Sequence, residues 1–246
     1  VNYPKARDKG NHMKITVVGS GAWGTALSLL LNENGHDVTL WSFFEKETET
    51  MRKTGENPFL KGVPIPQNLK LSSELSCVSG SDIVVMATPS FAVRETAARI
   101  SPLISSGAVV VSVAKGIENK SALRLSQVID EELHGKNIVA ALSGPSHAEE
   151  VGRGIPTACV AACPDTSVAE LIQDLFMNDY LRIYTNDNIA GVELGGSLKN
   201  IIALGAGISD GLGYGDNAKA AMMTRGITEI TRLGVKLGAD PRTFSG

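Results

Sequence analysis

The chain has 246 residues, of which 43% are hydrophobic and 20% are charged, which is ordinary for a globular protein with a real core. Its net charge of −3 gives no strongly basic face, so we expect no nucleic-acid partner. No uninterrupted apolar run is long enough to span a bilayer, so we expect no membrane insertion.

Residues 1–12 are polar and contain Lys5, Arg7, Asp8 and Lys9 without a hydrophobic stretch. A secretory signal peptide needs such a stretch, so we exclude one here. We interpret these residues as a leader or as an addition for expression, with the natural start at Met13.

A strand, a glycine turn and a helix are predicted next. Ile15–Val18 is a short apolar run, residues 19–24 read Gly-Ser-Gly-Ala-Trp-Gly, and Thr25–Leu31 favours a helix. A G-x-G-x-x-G motif placed between a strand and a helix indicates a dinucleotide site. A tight turn without a ligand is the less favoured interpretation.

Each glycine of this motif has a physical role. Gly19 permits the tight turn, Gly21 lets a pyrophosphate approach the backbone, and Gly24 lets the helix pack on the strand. The amides that open the helix then face the diphosphate, and the helix dipole favours negative charge there.

Apolar runs and helical segments alternate along the following residues. Further strands are predicted at Asp37–Trp41, Asp82–Ala87, Ala108–Val113 and Ile138–Leu142, with candidate extensions at Thr157–Ala162 and Tyr180–Tyr184. Crossover helices are predicted at Phe91–Ile100 and Ser121–Leu133. Near-continuous Val/Ile/Ala runs are typical of strands buried on both faces. We therefore predict an α/β fold with a Rossmann-like, doubly wound and mostly parallel sheet.

Strand signals vanish near Thr185, and two helices are predicted beyond it, Ile189–Gly207 and Asp216–Leu237. Asp216 is the expected N-cap of the second helix and Gly238 its C′ residue. The predicted domains are residues 13–185, which bind a dinucleotide, and residues 186–246, a partial all-helical domain.

Candidate chemistry lies in the turns that follow the strands, because ligands of open α/β sheets bind beyond the carboxyl ends of the strands. These turns are Thr88–Ser90, Ala114–Gly116 and Ser143–Ser146. Lys115 would attract an anionic substrate there, although a solvated loop lysine is the usual alternative.

A second lysine, Lys199, lies in the small and apolar segment Glu193–Ile202. It is either a side chain that reaches water from an edge or a group held in a site. Hydride reduction of a carbonyl leaves an alkoxide that needs a proton, and a partly buried ammonium group can supply it. Glu193 is open to a purely structural role. Glycines at 191, 195, 196, 205 and 207 suit close helix packing.

Cysteines indicate the compartment. Three of them give no disulfide framework in a chain of this length, which fits a reducing cytoplasm. Cys159 and Cys163 lie in an Ala/Val run without His or carboxylate at ligand spacing, so we expect buried small side chains and no metal.

The chain resembles NAD(P)-dependent glycerol-3-phosphate dehydrogenase of the soluble bacterial type. The matching blocks are Gly19–Thr25, Asn57–Leu69, Ser112–Glu118, Leu142–Val151 and Glu193–Ala221. The last block is highly specific. The resemblance implies NAD or NADP as cofactor, and the reversible reduction of dihydroxyacetone phosphate to sn-glycerol 3-phosphate for glycerophospholipid synthesis. It also implies a homodimer.

The resemblance further implies roles for single residues. The cofactor would be held by Gly19, Gly21, Ala22, Trp23, Gly24, Lys115 and Ala148. The substrate would be held by Lys115, Gly144, Ser146, Lys199 and Asn200. Lys199 would be the general acid or base, and Lys115 the second catalytic residue.

The chain departs from the family in two ways. NADP users commonly place Arg or His where this chain has Phe43, and no Asp or Glu stands at that strand end, so the choice of cofactor stays open. We expect Phe43 to stack near the adenine or to pack in the core. The family also continues past Gly246 with an Asp and an Arg-Asn pair that hold the substrate. We therefore expect a C-terminally truncated chain that binds dinucleotide but reduces dihydroxyacetone phosphate poorly.

Two other functions remain open. A catalytically silent dinucleotide-binding protein would show thermal stabilisation by cofactor without turnover. A β-hydroxyacid or 6-phosphogluconate-type dehydrogenase shares the glycine turn and a helical second domain, but the block Glu193–Ala221 argues against it.

Overall fold

The computed structural model of the chain describes residues 12–245, so the predicted leader lies outside the described residues except for His12. The strands are β1 Lys14–Val18, β2 Asp37–Trp41, β3 Glu56–Asn57, β4 Leu60–Pro64, β5 Lys70–Ser72, β6 Ile83–Met86, β7 Val109–Ser112, β8 Val139–Ser143, β9 Thr157–Ala162 and β10 Leu181–Asn186. The helices are α1 Ala22–Glu33, α2 Glu45–Thr54, α3 Val93–Ile100, α4 Leu125–Leu133, α5 Ala148–Gly152, α6 Thr166–Phe176, α7 Ile189–Gly211 and α8 Gly215–Lys236.

The main sheet has eight strands in the order β10-β9-β8-β7-β6-β1-β2-β5. Neighbouring strands are parallel except for β8 and β9, which run antiparallel with Ala141 opposite Ala162. Strands β3 and β4 form a separate antiparallel hairpin. The predicted Rossmann-like, mostly parallel sheet is confirmed.

Helices cover both faces of this sheet. Val17 belongs to a buried cluster that includes Leu27 of α1 and Ile172 of α6. Its neighbour Val18 belongs to a second cluster with α3 and α4 side chains such as Ile100. Successive side chains of a strand point to opposite faces, and both faces of β1 are apolar. This explains the near-continuous apolar runs.

Residues after β10 form two long helices that pack against each other. A Cβ at Gly226 of α8 would lie 2.7 Å from the side chain of Ile202, and one at Gly205 would lie 2.9 Å from Met222. The glycines therefore let the helices approach closely. The prediction that Gly207 also allows close helix packing is wrong, because nothing lies within 4 Å of its Cβ position.

The predicted N-cap of the last helix is also wrong. Helix α8 begins at Gly215, and Tyr214 occupies the N-cap position without a capping side-chain hydrogen bond. Asp216 instead lies in the first turn, where its carboxylate is near the positive end of the helix dipole. Gly238, with φ +88°, follows the C-cap Leu237 as predicted. No helix within residues 12–245 combines the length and the apolar character needed to cross a bilayer.

Candidate active site

The glycine turn after β1 is shaped by close backbone contacts. A Cβ at Gly19 would lie 2.6 Å from the carbonyl oxygen of Ala87, and one at Gly24 would overlap the carbonyl oxygen of Gly19. Gly21, in contrast, has nothing within 4 Å of its Cβ position. Two glycines therefore permit packing within the protein, and the third leaves an open approach to the backbone.

The first turn of α1 offers backbone donors to this opening. Gly21 is the N-cap residue and provides no side-chain hydrogen bond, so no capping side chain competes for the first amides. Ala22 and Trp23 are half-buried in this turn. Ala148, 8% exposed, opens α5, which packs against α1. These residues fit a diphosphate group, because helix N-termini bind anions.

Three side chains tie the glycine turn to the end of β2. The hydroxyl of Ser20 contacts that of Ser42 at 2.8 Å, and both donate to Glu47 Oε2, at 3.0 and 2.7 Å. The carbonyl oxygen of Ser20 also accepts from Asn57 Nδ2 at 2.8 Å. Glu47 was missed by the sequence analysis, since nothing in the polar segment around it indicates such a contact.

Phe43 lies just beyond β2 and is 58% exposed, so core packing is the wrong interpretation. Its ring contacts Trp41 edge-on, with centroids 6.1 Å apart. The guanidinium carbon of Arg99 lies 5.5 Å from its centroid. Stacking on an adenine remains a prediction.

The three turns at the strand ends meet, as predicted. Lys115 follows β7 and donates from Nζ to the carbonyl oxygen of Gly144 and to Ser146 Oγ, both at 3.0 Å. A Cβ at Gly116 would lie 2.7 Å from that of Ser90. Lys115 is therefore a half-buried residue inside the crevice and not a solvated loop lysine.

Lys199 reaches the same place from α7. Its Nζ lies 3.3 Å from the Gly144 carbonyl oxygen, so two ammonium groups share one acceptor. Within residues 12–245, neither lysine forms an ion pair with Asp or Glu. Burial, and then the charge of Lys199, lower the pKa of Lys115. The pair thus leaves positive charge that an anionic ligand would neutralise.

Small and polar residues hold helix α7 against the carboxyl end of β8. A Cβ at Gly196 would overlap Ser143 Oγ, so glycine lets the helix lie against the end of β8. Ser197 Oγ accepts from the amide of Gly116 at 2.9 Å. Lys199 follows Gly196 by three residues and hence lies on the same side of the helix.

Glu193 has a structural role on this helix. Its carboxylate, 6% exposed, accepts from the amide of Ser126 at 2.8 Å and pairs with Arg124 at 2.5 Å. It therefore anchors α7 to the N-terminus of α4. Asn200 is exposed, and the structure does not join it to Gly144, Ser146 or either lysine by a hydrogen bond.

A Rossmann sheet with an open glycine cradle and two converging ammonium groups at its strand ends defines a dinucleotide-dependent oxidoreductase. The family profile described as NAD-dependent glycerol-3-phosphate dehydrogenase N-terminus matches residues 14–169. The profile for the C-terminus of the same family matches residues 188–246. The chain belongs to the NAD-dependent glycerol-3-phosphate dehydrogenase family.

Individual relatives agree with the profiles. Glycerol-3-phosphate dehydrogenase [NAD(P)+] of Thermoanaerobacter sp. (strain X514) is 53% identical over 235 residues, which cover 95% of this chain and 71% of the relative. The Fusobacterium nucleatum protein of the same name is 47% identical over 237 residues, with 95% and 71% covered. The crystal structure of glycerol-3-phosphate dehydrogenase from Coxiella burnetii superposes with a TM-score of 0.90 at 38% identity, covering 96% of this chain and 72% of that one.

Proposed function

We propose that this chain interconverts dihydroxyacetone phosphate and sn-glycerol 3-phosphate with NAD or NADP, and so supplies a glycerophospholipid precursor. The observation that carries the proposal is the convergence of Lys115 and Lys199 on the Gly144 carbonyl oxygen. Relatives at about half identity, named glycerol-3-phosphate dehydrogenase [NAD(P)+], support the substrate and the cofactor. When bound, the nicotinamide supplies the hydride that reduces the substrate carbonyl carbon.

The two lysines have different tasks in this proposal. Lys199 donates a proton to the oxygen of the reduced carbonyl, and accepts it in the reverse direction. Lys115 contributes the positive charge that draws in the anionic substrate, and it contacts the cofactor as well. Gly144, Ser146 and Asn200 orient the substrate by hydrogen bonds.

The cofactor lies across the glycine cradle. Its diphosphate meets the backbone at Gly19, Gly21 and Gly24 and the first turn of α1 at Ala22 and Trp23. Phe43 and Ala148 flank it. Residues 13–185 form the cofactor domain, and residues 186–246 bring Lys199 to its edge, which is the proposed domain division.

A single-turnover assay tests the reaction even where steady-state turnover is slow. Protein in excess over NADH, and separately over NADPH, is mixed with dihydroxyacetone phosphate. The absorbance of the reduced cofactor and the mass of the product are then followed. We expect conversion to glycerol 3-phosphate, which Lys199→Met slows by about 10²–10⁴-fold.

Three results would contradict the proposal: no oxidation of bound cofactor, equal oxidation by Lys199→Met, or faster oxidation of the cofactor with a β-oxo acid, the carbonyl substrate of a β-hydroxyacid dehydrogenase in this direction. Cofactor binding without any oxidation would favour the silent dinucleotide-binding protein. Thermal stabilisation by NADH and NADPH alone separates that result from complete loss of the site.

We also propose a homodimer in the cytoplasm. Large apolar side chains are exposed along α7, at its C-cap and along α8, namely Ile201, Leu204, Ile208, Leu212, Met223 and Ile227. Such a patch is typical of an interface between chains. The free thiols of Cys159 and Cys163 suit a reducing compartment. Sedimentation over a range of concentrations tests the dimer, and a monomer throughout would contradict it.

A further inference from the structure

Arg99 lies beside the predicted adenosine end of the cofactor site. It is the penultimate residue of α3 and is exposed, with its guanidinium carbon 5.5 Å from the centroid of Phe43. Within residues 12–245 it forms no ion pair, not even with Glu95 one turn earlier on the same helix. Its charge is therefore available to a ligand.

Phe43, whose ring Arg99 contacts, lies at the end of β2. Phe43 follows the last residue of that strand, Trp41, by two positions, and the carbonyl of Trp41 accepts from the amide of Gly19 at 3.0 Å. In Rossmann sheets this strand end contacts the adenosine ribose. An acidic residue there accepts from the 2′-hydroxyl of NAD, and a nearby Arg accommodates the 2′-phosphate of NADP.

The charges around this strand end favour the second alternative. Ser42, Phe43 and Phe44 carry no charge, so the strand end itself contributes no carboxylate. Of the two acidic residues in the first turn of α2, Glu45 and Glu47, Glu47 reaches the glycine turn, and its Oε2 is bonded to the hydroxyls of Ser20 and Ser42. The fixed charge over Phe43 is the cation of Arg99.

We propose that Arg99 recognises the 2′-phosphate of NADP(H) and makes this chain favour NADP(H) over NAD(H). The proposal rests on the proposed function, because it assumes that a dinucleotide occupies the glycine cradle. A cation–π contact with the ring of Phe43 restrains the guanidinium group, and its N–H groups can then donate two parallel hydrogen bonds to a phosphate.

A purely structural role for Arg99 makes a different prediction. A cation in the last turn of a helix interacts favourably with the negative end of its dipole. Loss of that interaction would lower the melting temperature but would leave the discrimination between nucleotides unchanged.

Calorimetric titration with fragments of the cofactor separates these roles. The probes are adenosine 2′,5′-bisphosphate and 5′-AMP, which differ only in the 2′-phosphate, together with NADPH and NADH. We expect the chain to bind the bisphosphate at least about tenfold more tightly than 5′-AMP. In Arg99→Met this ratio falls about tenfold, while affinity for 5′-AMP stays within about twofold. Arg99→Lys, which keeps a charge but lacks the planar fork, retains part of the preference.

Arg182 provides a matched control. Its guanidinium carbon lies 5.6 Å from the centroid of Tyr184, also on an exposed ring, but on β10 at the opposite edge of the sheet. Arg182→Met should leave both affinities unchanged. Melting curves of all variants establish that they are folded.

Three results would overturn the inference: a ratio near one in the unmodified chain, a ratio that survives in Arg99→Met, or equal loss of both probes. Equal loss would show that Arg99 serves the adenine and not the phosphate. If the unmodified chain binds neither NADH nor NADPH, the proposed function fails as well. Binding of both cofactors with no effect of Arg99 refutes this inference alone.

Discussion

Lys115 and Lys199 direct their ammonium groups at a single acceptor, the carbonyl oxygen of Gly144, at 3.0 and 3.3 Å. Two like charges held this close in a half-buried crevice repel each other. Water screens this repulsion while the crevice is open to solvent, and a bound anion would neutralise it. The folded protein therefore stores an electrostatic preference for an anionic ligand at this point.

Lys199→Met should separate chemistry from cofactor binding. We expect the single-turnover rate to fall by about 10²–10⁴-fold, the usual contribution of a general acid. Affinity for NADPH should stay within about twofold of the unmodified chain, and the melting temperature should not fall, because one of two repelling charges is removed. Stopped-flow absorbance, cofactor titration and thermal melts provide the three measurements.

Lys136→Met is the control for this substitution, since Lys136 is an exposed loop lysine far from the crevice. It should change none of the three quantities. A turnover rate in Lys199→Met that equals that of Lys136→Met would remove Lys199 from the reaction.

The lowered pKa of Lys115 predicts the pH dependence of substrate binding. The substrate phosphate is already dianionic above about pH 7, because its second pKa is about 6. Rising pH then deprotonates Lys115 before an ordinary lysine, so affinity for sn-glycerol 3-phosphate should decline earlier than for a solvated ammonium group. Titration calorimetry between about pH 7 and pH 10, near the ordinary lysine pKa, measures this decline.

Stability should change in the opposite direction over the same interval. The folded chain releases the Lys115 proton more readily than the unfolded chain, so the unfolded state binds more protons between the two pKa values. The contribution of Lys115 to the free energy of unfolding therefore rises with pH there.

Lys115→Arg is the test of the substrate-binding prediction. In this variant the affinity for sn-glycerol 3-phosphate should not change with pH, because a guanidinium does not titrate in this range. A decline that persists in Lys115→Arg would assign the titration to another group.

Two alanine substitutions distinguish the glycines of the cradle. Gly24→Ala places a methyl group against the backbone carbonyl of Gly19, so we expect a loss of about 1–3 kcal/mol in the free energy of unfolding. Gly21→Ala meets no protein atom within 4 Å and should leave stability unchanged, yet weaken NADPH binding at least about tenfold by blocking the diphosphate. Urea denaturation and cofactor titration give the two readouts.

Gly207→Ala is the reference for both substitutions. It lies inside α7 with open space around its Cβ position, so alanine should add about 0.5–1 kcal/mol of stability. Unchanged cofactor affinity in Gly21→Ala would show that the diphosphate does not approach that backbone.

Glu193→Gln should weaken the attachment of α7 to α4. The substitution leaves the guanidinium of Arg124, 17% exposed, without its charged partner. We expect a loss of about 3 kcal/mol in the free energy of unfolding, the lower end of the range for broken buried pairs. Glu229→Gln, on the exposed pair with Arg225, should change it by no more than about 0.5 kcal/mol. Equal effects in the two variants would contradict the anchoring role.

The sequence was sufficient for the central strands and for Lys115, which follows one of them. Long apolar runs such as Ile83–Met86 allow few interpretations other than a buried strand. A lysine directly after such a run lies beyond the carboxyl end of its strand. The antiparallel direction of β9 could not be predicted, because a strand buried on both faces has the same composition in either direction.

Other features depend on contacts between distant residues. Helix α2, Glu45–Thr54, has only Thr48 and Met51 buried, so it lacks the apolar repeat that marks a helix in a sequence. Glu47 and Arg99 likewise gain their places from side chains supplied by other elements, Ser20 and Phe43. Nothing in the residues next to them in the chain indicates these neighbours.

The loop that would receive the diphosphate is restrained before any nucleotide arrives. Its residue Ser20 is fixed through the hydroxyl by Ser42 and Glu47 and through the carbonyl by Asn57. Such a preorganised segment loses little conformational entropy on association, so more of the contact energy is expressed as affinity. The Glu47 carboxylate therefore orders this loop in advance, and cofactor binding does not have to supply the free energy of ordering it.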